Sequence, residues 1–173
     1  MSNYKALLTR VNTFIFDYDG VMTNGNLLLQ ADGQPLRFAN VRDGFALQLA
    51  ARLGYRVVII SGGFSQSVEN RFDALGIKDV FLGIRDKLTV FDKYISDNNI
   101  DPETIIYMGD DIPDYRVMQK VGVPVCPADA AEEIKKISIY ISDKKGGEGC
   151  VRDIIEQVLK VQGKWMTEES YHW

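Results

Sequence analysis

Four short stretches of this sequence hold side chains that could together transfer a phosphoryl group. They are Asp17 and Asp19 in FDYDGV, Ser61 in SGG, Lys87 in RDKL, and Asp110, Asp111 and Asp114 in GDDIPD. Asp17 and Asp19 are one residue apart, so in an extended segment both side chains point into the same pocket. One carboxylate there could attack phosphorus while the other carries the proton. Two such groups repel one another unless a cation or a proton separates them. Asp110, Asp111 and Asp114 add oxygen donors on one face of an expected new helix, and an oxygen-only acidic pocket suits Mg²⁺. The ammonium of Lys87 would stabilise both Asp17 and an incoming phosphoryl oxygen. Ser61 could donate its hydroxyl to the same phosphate, helped by the amides of Gly62 and Gly63 at a helix N-terminus.

Each feature also has an ordinary counterpart. DxDG serves as a solvated turn after a strand, Asp110 and Asp111 as helix caps, and Lys87 as an exposed lysine at a helix start. A calcium loop does not fit, because Val21 and Met22 stand where an EF-hand needs an oxygen ligand and a glycine. What joins the four stretches is their position, since each follows a strand-like run.

Those runs are Thr13 to Phe16, Val57 to Ile60, Val80 to Leu82 and Ile105 to Met108, with Val123 to Val125 and Ile139 to Ile141 after them. Helical periodicity lies between them. Phe45, Leu49 and Leu53 share one face, Val68, Phe72 and Leu75 another, and further helices are expected from Asp86 to Asn99, around Ala130 to Ile137 and from Gly149 to Gln162. The alternation predicts an α/β fold, a doubly wound parallel sheet covered on both faces, as one domain over residues 1–173. All four polar stretches would then lie along the carboxyl edge of the sheet, where open α/β sheets bind their ligands. Residues 26–41 interrupt the alternation with two apolar runs about Asp32-Gly33, which predicts a β-hairpin flap with a surface suited to an interface. The tail, residues 163–173, lacks helical period and is expected either to fray or to close over the site.

At 173 residues and 46% hydrophobic, the chain can bury a substantial core. A net charge of −4 gives no electrostatic footprint for nucleic acid or an anionic membrane. Cys126 and Cys150 are too far apart in sequence, and too isolated from histidine, to read as a zinc site, and buried reduced thiols are expected. The N-terminus has no signal-peptide core and no apolar run approaches a membrane span, so a cytoplasmic location is expected.

FDYDGV, a strand ending in Ser61, Lys87 and GDDIPD, in this order and spacing, resemble the four motifs of the haloacid dehalogenase superfamily of phosphatases. The resemblance spans nearly the whole chain. The absence of an inserted cap domain, NVRDG at Asn40 to Gly44, and the late KGGEG followed by Arg152 and VQGK resemble the small tetrameric 3-deoxy-D-manno-octulosonate 8-phosphate phosphatases within it. The resemblance implies a Mg²⁺-dependent phosphomonoester hydrolase acting on a sugar-acid phosphate for lipopolysaccharide synthesis. Asp17 would be the nucleophile, Asp19 the acid and base, and Ser61 and Lys87 the phosphoryl holders. Asp17, the Asp19 backbone carbonyl and Asp110 would bind the metal, with Asp111 and Asp114 as supports. Asn40, Val41, Arg42, Asp43, Gly44 and Arg71 would contact the sugar acid, together with Asp19 and Lys87. A homotetramer would bury the flap.

Gly63 and Gln48 depart from that pattern, because relatives often carry large charged residues there. A nine-carbon ulosonate 9-phosphate therefore stays open as the substrate. Two non-catalytic readings are weighed beside it: a receiver-like signalling domain, and an oligomerisation partner of a sugar-nucleotide enzyme. A receiver needs its phosphorylated aspartate after the third strand, where Gly83 to Lys87 offers only Asp86, and it has no use for a proton carrier at Asp19. The intact set of Asp17, Asp19, Lys87 and Asp110 argues against an inert partner.

Overall fold

Short runs of β-branched and aromatic residues become strands, and the longer stretches between them become helices. The computed structural model describes residues 4–173. Its strands are β1 (Thr13–Phe16), β2 (Arg56–Ile60), β3 (Asp79–Phe81), β4 (Ile105–Met108), β5 (Val123–Cys126) and β6 (Tyr140–Ile141). They form one parallel sheet in the order β3-β2-β1-β4-β5-β6. The helices are α1 (Lys5–Leu8), α2 (Val41–Arg52), α3 (Gln66–Ala74), α4 (Lys87–Asp97), α5 (Tyr115–Met118), α6 (Glu132–Ile137) and α7 (Cys150–Val161).

Alternation along each strand divides the core in two. Phe14, Phe16, Val57, Ile59, Ile106, Met108, Val123 and Val125 face a cluster completed by Leu8 and by the inner sides of α2, α3 and α7. Ile15, Val58, Ile60, Ile105, Tyr107 and Cys126 face the opposite cluster, completed by Phe91 and Tyr94 of α4, Val117 and Met118 of α5 and Ile134 of α6. The parallel, doubly covered sheet is therefore as the alternation predicts. Successive strands run outward from β1 through β2 to β3, then restart beside β1 at β4. That reversal opens a crevice beyond the carboxyl ends of β1 and β4.

The structure departs from expectation in four places. The flap is not a two-stranded ladder. Its pairing is a single antiparallel bridge, in which Leu28 and Leu36 exchange backbone hydrogen bonds of 3.1 and 3.0 Å about the turn at Gly33. Too little of the flap is covered for a longer ladder to form, and Leu28, Leu29 and Phe38 stand 59%, 79% and 77% exposed. Val41 opens α2 instead of closing the hairpin, because Asn40 caps the helix by accepting from the amides of Arg42 and Asp43. The segment after GDD is a 3₁₀ turn, Ile112–Asp114, ahead of the four-residue α5. The tail neither frays nor closes the crevice: Glu168–Tyr171 forms a 3₁₀ turn docked on α2, where Arg52 donates to the carbonyls of Glu169 and His172 and Trp173 packs edge-on against Phe45. Among the described residues, no helix is long and apolar enough to cross a membrane.

Candidate active site

Beyond the carboxyl ends of β1, β2 and β4 lies an open cavity of about 310 Å³, lined by Asp17, Asp19, Ser61, Gly62, Gly63, Ile84, Arg85, Lys87, Asp110, Asp111, Pro113 and Asp114. The four polar stretches singled out from sequence thus meet at one place. Asp17 continues β1, its amide donating to the Met108 carbonyl of β4 at 3.0 Å. Tyr18 turns away into the core with its ring against Phe72, which leaves Asp17 and Asp19 on the cavity side.

Lys87 is the first residue of α4, whose cap is Asp86, and its side chain is buried. Its Nζ lies 2.9 Å from Asp17 Oδ1 and 2.7 Å from Asp114 Oδ1. Burial works against the ammonium, but the charges of Asp114 and Asp17 and their hydrogen bonds outweigh it and raise its pKa. Asp114 is fully buried. Besides Lys87 it accepts the Tyr107 hydroxyl at 2.6 Å and, through Oδ2, the Asp110 amide at 3.3 Å. Its carboxylate thus fixes three groups around Asp17. Tyr107, on β4, had no signal in the sequence beyond its inward position in an apolar run.

Asp17, Asp110 and Asp114 bring carboxylate oxygens within 4.8 Å of one another. Burial first, and then the mutual repulsion of the cluster, pushes both Asp17 and Asp110 above the ordinary carboxylate range. Asp110 Oδ1 is buried without a hydrogen-bond partner among the described residues. Gly20 makes this closeness possible: at φ +89°, any Cβ there would lie 2.1 Å from Asp110 Oδ2. A buried, unpartnered oxygen within an all-oxygen acidic group is what a hard divalent cation requires, so the residues present fit Mg²⁺. Asp111 is exposed at the cavity edge and caps the 3₁₀ turn through the Ile112 amide.

The acidic loop rests on the far end of the chain. The Gly147 amide and the Cys150 thiol both donate to the Val21 carbonyl, at 2.9 and 3.2 Å. Ser61 is buried at the end of β2 and accepts the Gly63 amide at 3.3 Å. The amides of Gly62 and Gly63 are not at the helix N-terminus expected, because α3 starts at Gln66 behind its cap Ser65. They belong to the loop lining the cavity.

Asn40, Val41, Arg42, Asp43, Gly44 and Arg71, expected to read the sugar acid, lie apart from this cavity, whereas Asp19 and Lys87 line it. Asn40, besides capping α2, donates its side-chain amide to the Gly147 carbonyl at 2.9 Å. Asp43 is buried and accepts the Arg152 amide at 2.7 Å, joining α2 to α7. Arg71 lies over Gly44 beside Tyr18, with Asn40 and Asp43 around the same small hollow. Val41 and Arg42 line a separate surface cavity with Phe38, Gly147 and Glu148. Two further arginines reach the site without a sequence motif to mark them. Arg85 lines the cavity, and Arg37, from the flap, grips Asp19 with Nε 2.6 Å from Oδ1 and Nη2 2.9 Å from Oδ2.

Residues 82–154 match the model of a family described as haloacid dehalogenase-like hydrolase. The 3-deoxy-D-manno-octulosonate 8-phosphate phosphatase of Escherichia coli K12 is 36% identical over 159 residues, covering 92% of this chain and 85% of that protein. The crystal structure of the Yersinia pestis phosphatase of the same name superposes with a TM-score of 0.91 at 32% identity, covering 94% of this chain and 88% of that one. The Moraxella catarrhalis phosphatase, solved in complex with magnesium ion, phosphate ion and KDO, gives a TM-score of 0.91 at 30% identity, covering 95% of both chains.

Proposed function

Since the chain belongs to the 3-deoxy-D-manno-octulosonate 8-phosphate phosphatase family of haloacid dehalogenase-like hydrolases, we propose that it releases phosphate from 3-deoxy-D-manno-octulosonate 8-phosphate, supplying the sugar acid for lipopolysaccharide. The observation that carries this reading is the meeting of Asp17, Lys87 and Asp110 in one cavity, with Lys87 Nζ 2.9 Å from the Asp17 carboxylate.

In this reading an Asp17 oxygen attacks phosphorus as the bond to the sugar oxygen breaks, and Asp19 gives its proton to that leaving oxygen. Asp19 then takes a proton from the water that attacks the aspartyl phosphate, so that phosphate leaves and Asp17 is restored. Lys87 and Ser61 hold the phosphoryl oxygens. Mg²⁺ would be held by the carboxylates of Asp17 and Asp110 and the backbone carbonyl of Asp19, with Asp111 and Asp114 in support. When bound, it neutralises the negative charge that Asp17, Asp110 and the phosphoryl group accumulate.

For the sugar acid we assign Arg42 and Arg71, neither of which forms an ion pair among the described residues, since a carboxylate is best met by a guanidinium. Both lie outside the phosphate cavity. A homotetramer, in which the exposed flap meets neighbouring subunits, would account for that separation. The free, buried Cys126 and Cys150 suit the reducing cytoplasm.

Asp17→Asn is expected to keep the circular dichroism of the parent and to retain less than about one thousandth of its Mg²⁺-dependent phosphate release. Unchanged turnover would sink the mechanism. Steady-state comparison of eight- and nine-carbon ulosonate phosphates tests the substrate, with a preference for the eight-carbon compound expected.

A further inference from the structure

Asp19 has to hold its carboxylate still beside the water whose proton it takes, yet its own loop barely restrains it. The side chain is 31% exposed, and within the loop its hydrogen-bond partner is Thr23 Oγ1 at a distant 3.5 Å. The firm contact comes from the flap. Arg37 places Nε and Nη2 on the two oxygens of Asp19 at 2.6 and 2.9 Å, the parallel fork in which a guanidinium fixes both the position and the plane of a carboxylate.

The flap is shaped around this one contact. Arg37 has a side chain only 6% exposed, while its neighbours Leu36 and Phe38 are 48% and 77% exposed. Its Nη1 also donates to the Pro35 carbonyl at 3.3 Å, which stiffens the arm. On the far side of the pair, Gly63 gives it room, because a Cβ at Gly63 would stand 2.8 Å from Arg37 Nη2 and 2.8 Å from Asp19 Oδ2. A side chain at this point of the loop and the forked pair cannot occupy the same space.

We propose that Arg37 is a positioning residue for phosphomonoester cleavage: reaching in from the flap, it holds Asp19 as the carboxylate that takes the proton of the attacking water, and residue 63 is glycine so that the guanidinium can lie there. The inference rests on Asp19 as the proton carrier. It makes the flap part of the catalytic apparatus of its own subunit, separate from any role in covering a neighbour.

The test is a set of variants assayed with Mg²⁺ and 3-deoxy-D-manno-octulosonate 8-phosphate. Arg37→Ala is expected to lower kcat by about tenfold or more, within the span of proton-transfer effects, and to leave KM nearly unchanged. Arg37→Lys should recover part of the loss, since a point charge restores attraction without the fork. Gly63→Ala should also lower kcat, and in the Arg37→Ala background it should cost little more, because neighbours that act through one contact are not additive. Additive losses, an Arg37→Ala kcat equal to the parent's, or a rise in KM with kcat unchanged would each overturn the proposal. Asp19→Asn separates the two levels. If it keeps full kcat, the role given to Asp19 fails and the positioning role falls with it; if it is inactive while Arg37→Ala matches the parent, the inference about Arg37 alone is wrong.

Discussion

Lys87 occupies a position that its own helix disfavours. A cation in the first turn opposes the helix dipole, and burial opposes the charge again. Asp17 and Asp114 reverse both effects by meeting the ammonium at 2.9 and 2.7 Å. Lys87→Met should therefore leave two carboxylates facing one another in the core, and the expected loss is all phosphatase activity together with about 3 kcal/mol of stability at neutral pH. Urea unfolding would measure it, and the deficit should shrink in acid as the carboxylates take up protons. At this scale the sequence was legible wherever a residue stood at the end of a strand-like run: Asp17, Asp19, Ser61, Lys87 and Asp110 all reach the cavity. Arg37 and Tyr107 were not, for physical reasons. The partner of Arg37 is 18 residues away across an irregular flap, and Tyr107 reads as one more apolar residue of β4 until Asp114 is seen beneath its hydroxyl.

Helices α2 and α7 meet through Asp43, which stands in the first turn of one and accepts the Arg152 amide from the first turn of the other. Its second oxygen, Oδ2, is buried without a hydrogen-bond partner among the described residues, and burial pushes the carboxyl up to about 6 despite the pull of the Arg152 amide and charge. A carboxyl whose folded pKa exceeds its unfolded one binds more protons in the folded state, so its contribution to stability is complete below about pH 4 and fades as the pH rises towards 6. Asp43→Asn keeps an acceptor for the amide and removes the charge. Relative to that variant, the parent should lose about 3 kcal/mol between pH 4 and pH 7, read from urea midpoints at the two values. An unchanged difference would mean that the carboxyl is well solvated. Sequence periodicity found α2 through the shared face of Phe45 and Leu49 and located both ends of α7 to within a residue, but their joint was hidden, because RDG at a helix start reads as ordinary capping.

At the level of the whole molecule, alternation of strands and helices revealed the doubly wound sheet, and the crevice followed from where the strand order reverses. The flap was legible as an interruption but not as a shape, because a hairpin without a covered face has nothing to fix its register. Leu28, Leu29, Leu36, Phe38 and Val41 leave an apolar strip in solvent. Such a strip favours self-association, and Leu28→Ser with Phe38→Ser should convert the expected tetramer to smaller species by light scattering, with the circular dichroism unchanged. The acidic loop has a further consequence, one that concerns synthesis. Asp17 leaves the ribosome well before its support, because the Val21 carbonyl beside it is fastened by the Gly147 amide and by Cys150, 129 residues later. Domains fold as units once their distant contacts can close, so a nascent chain carries Asp17 long before its loop has a floor to hold it.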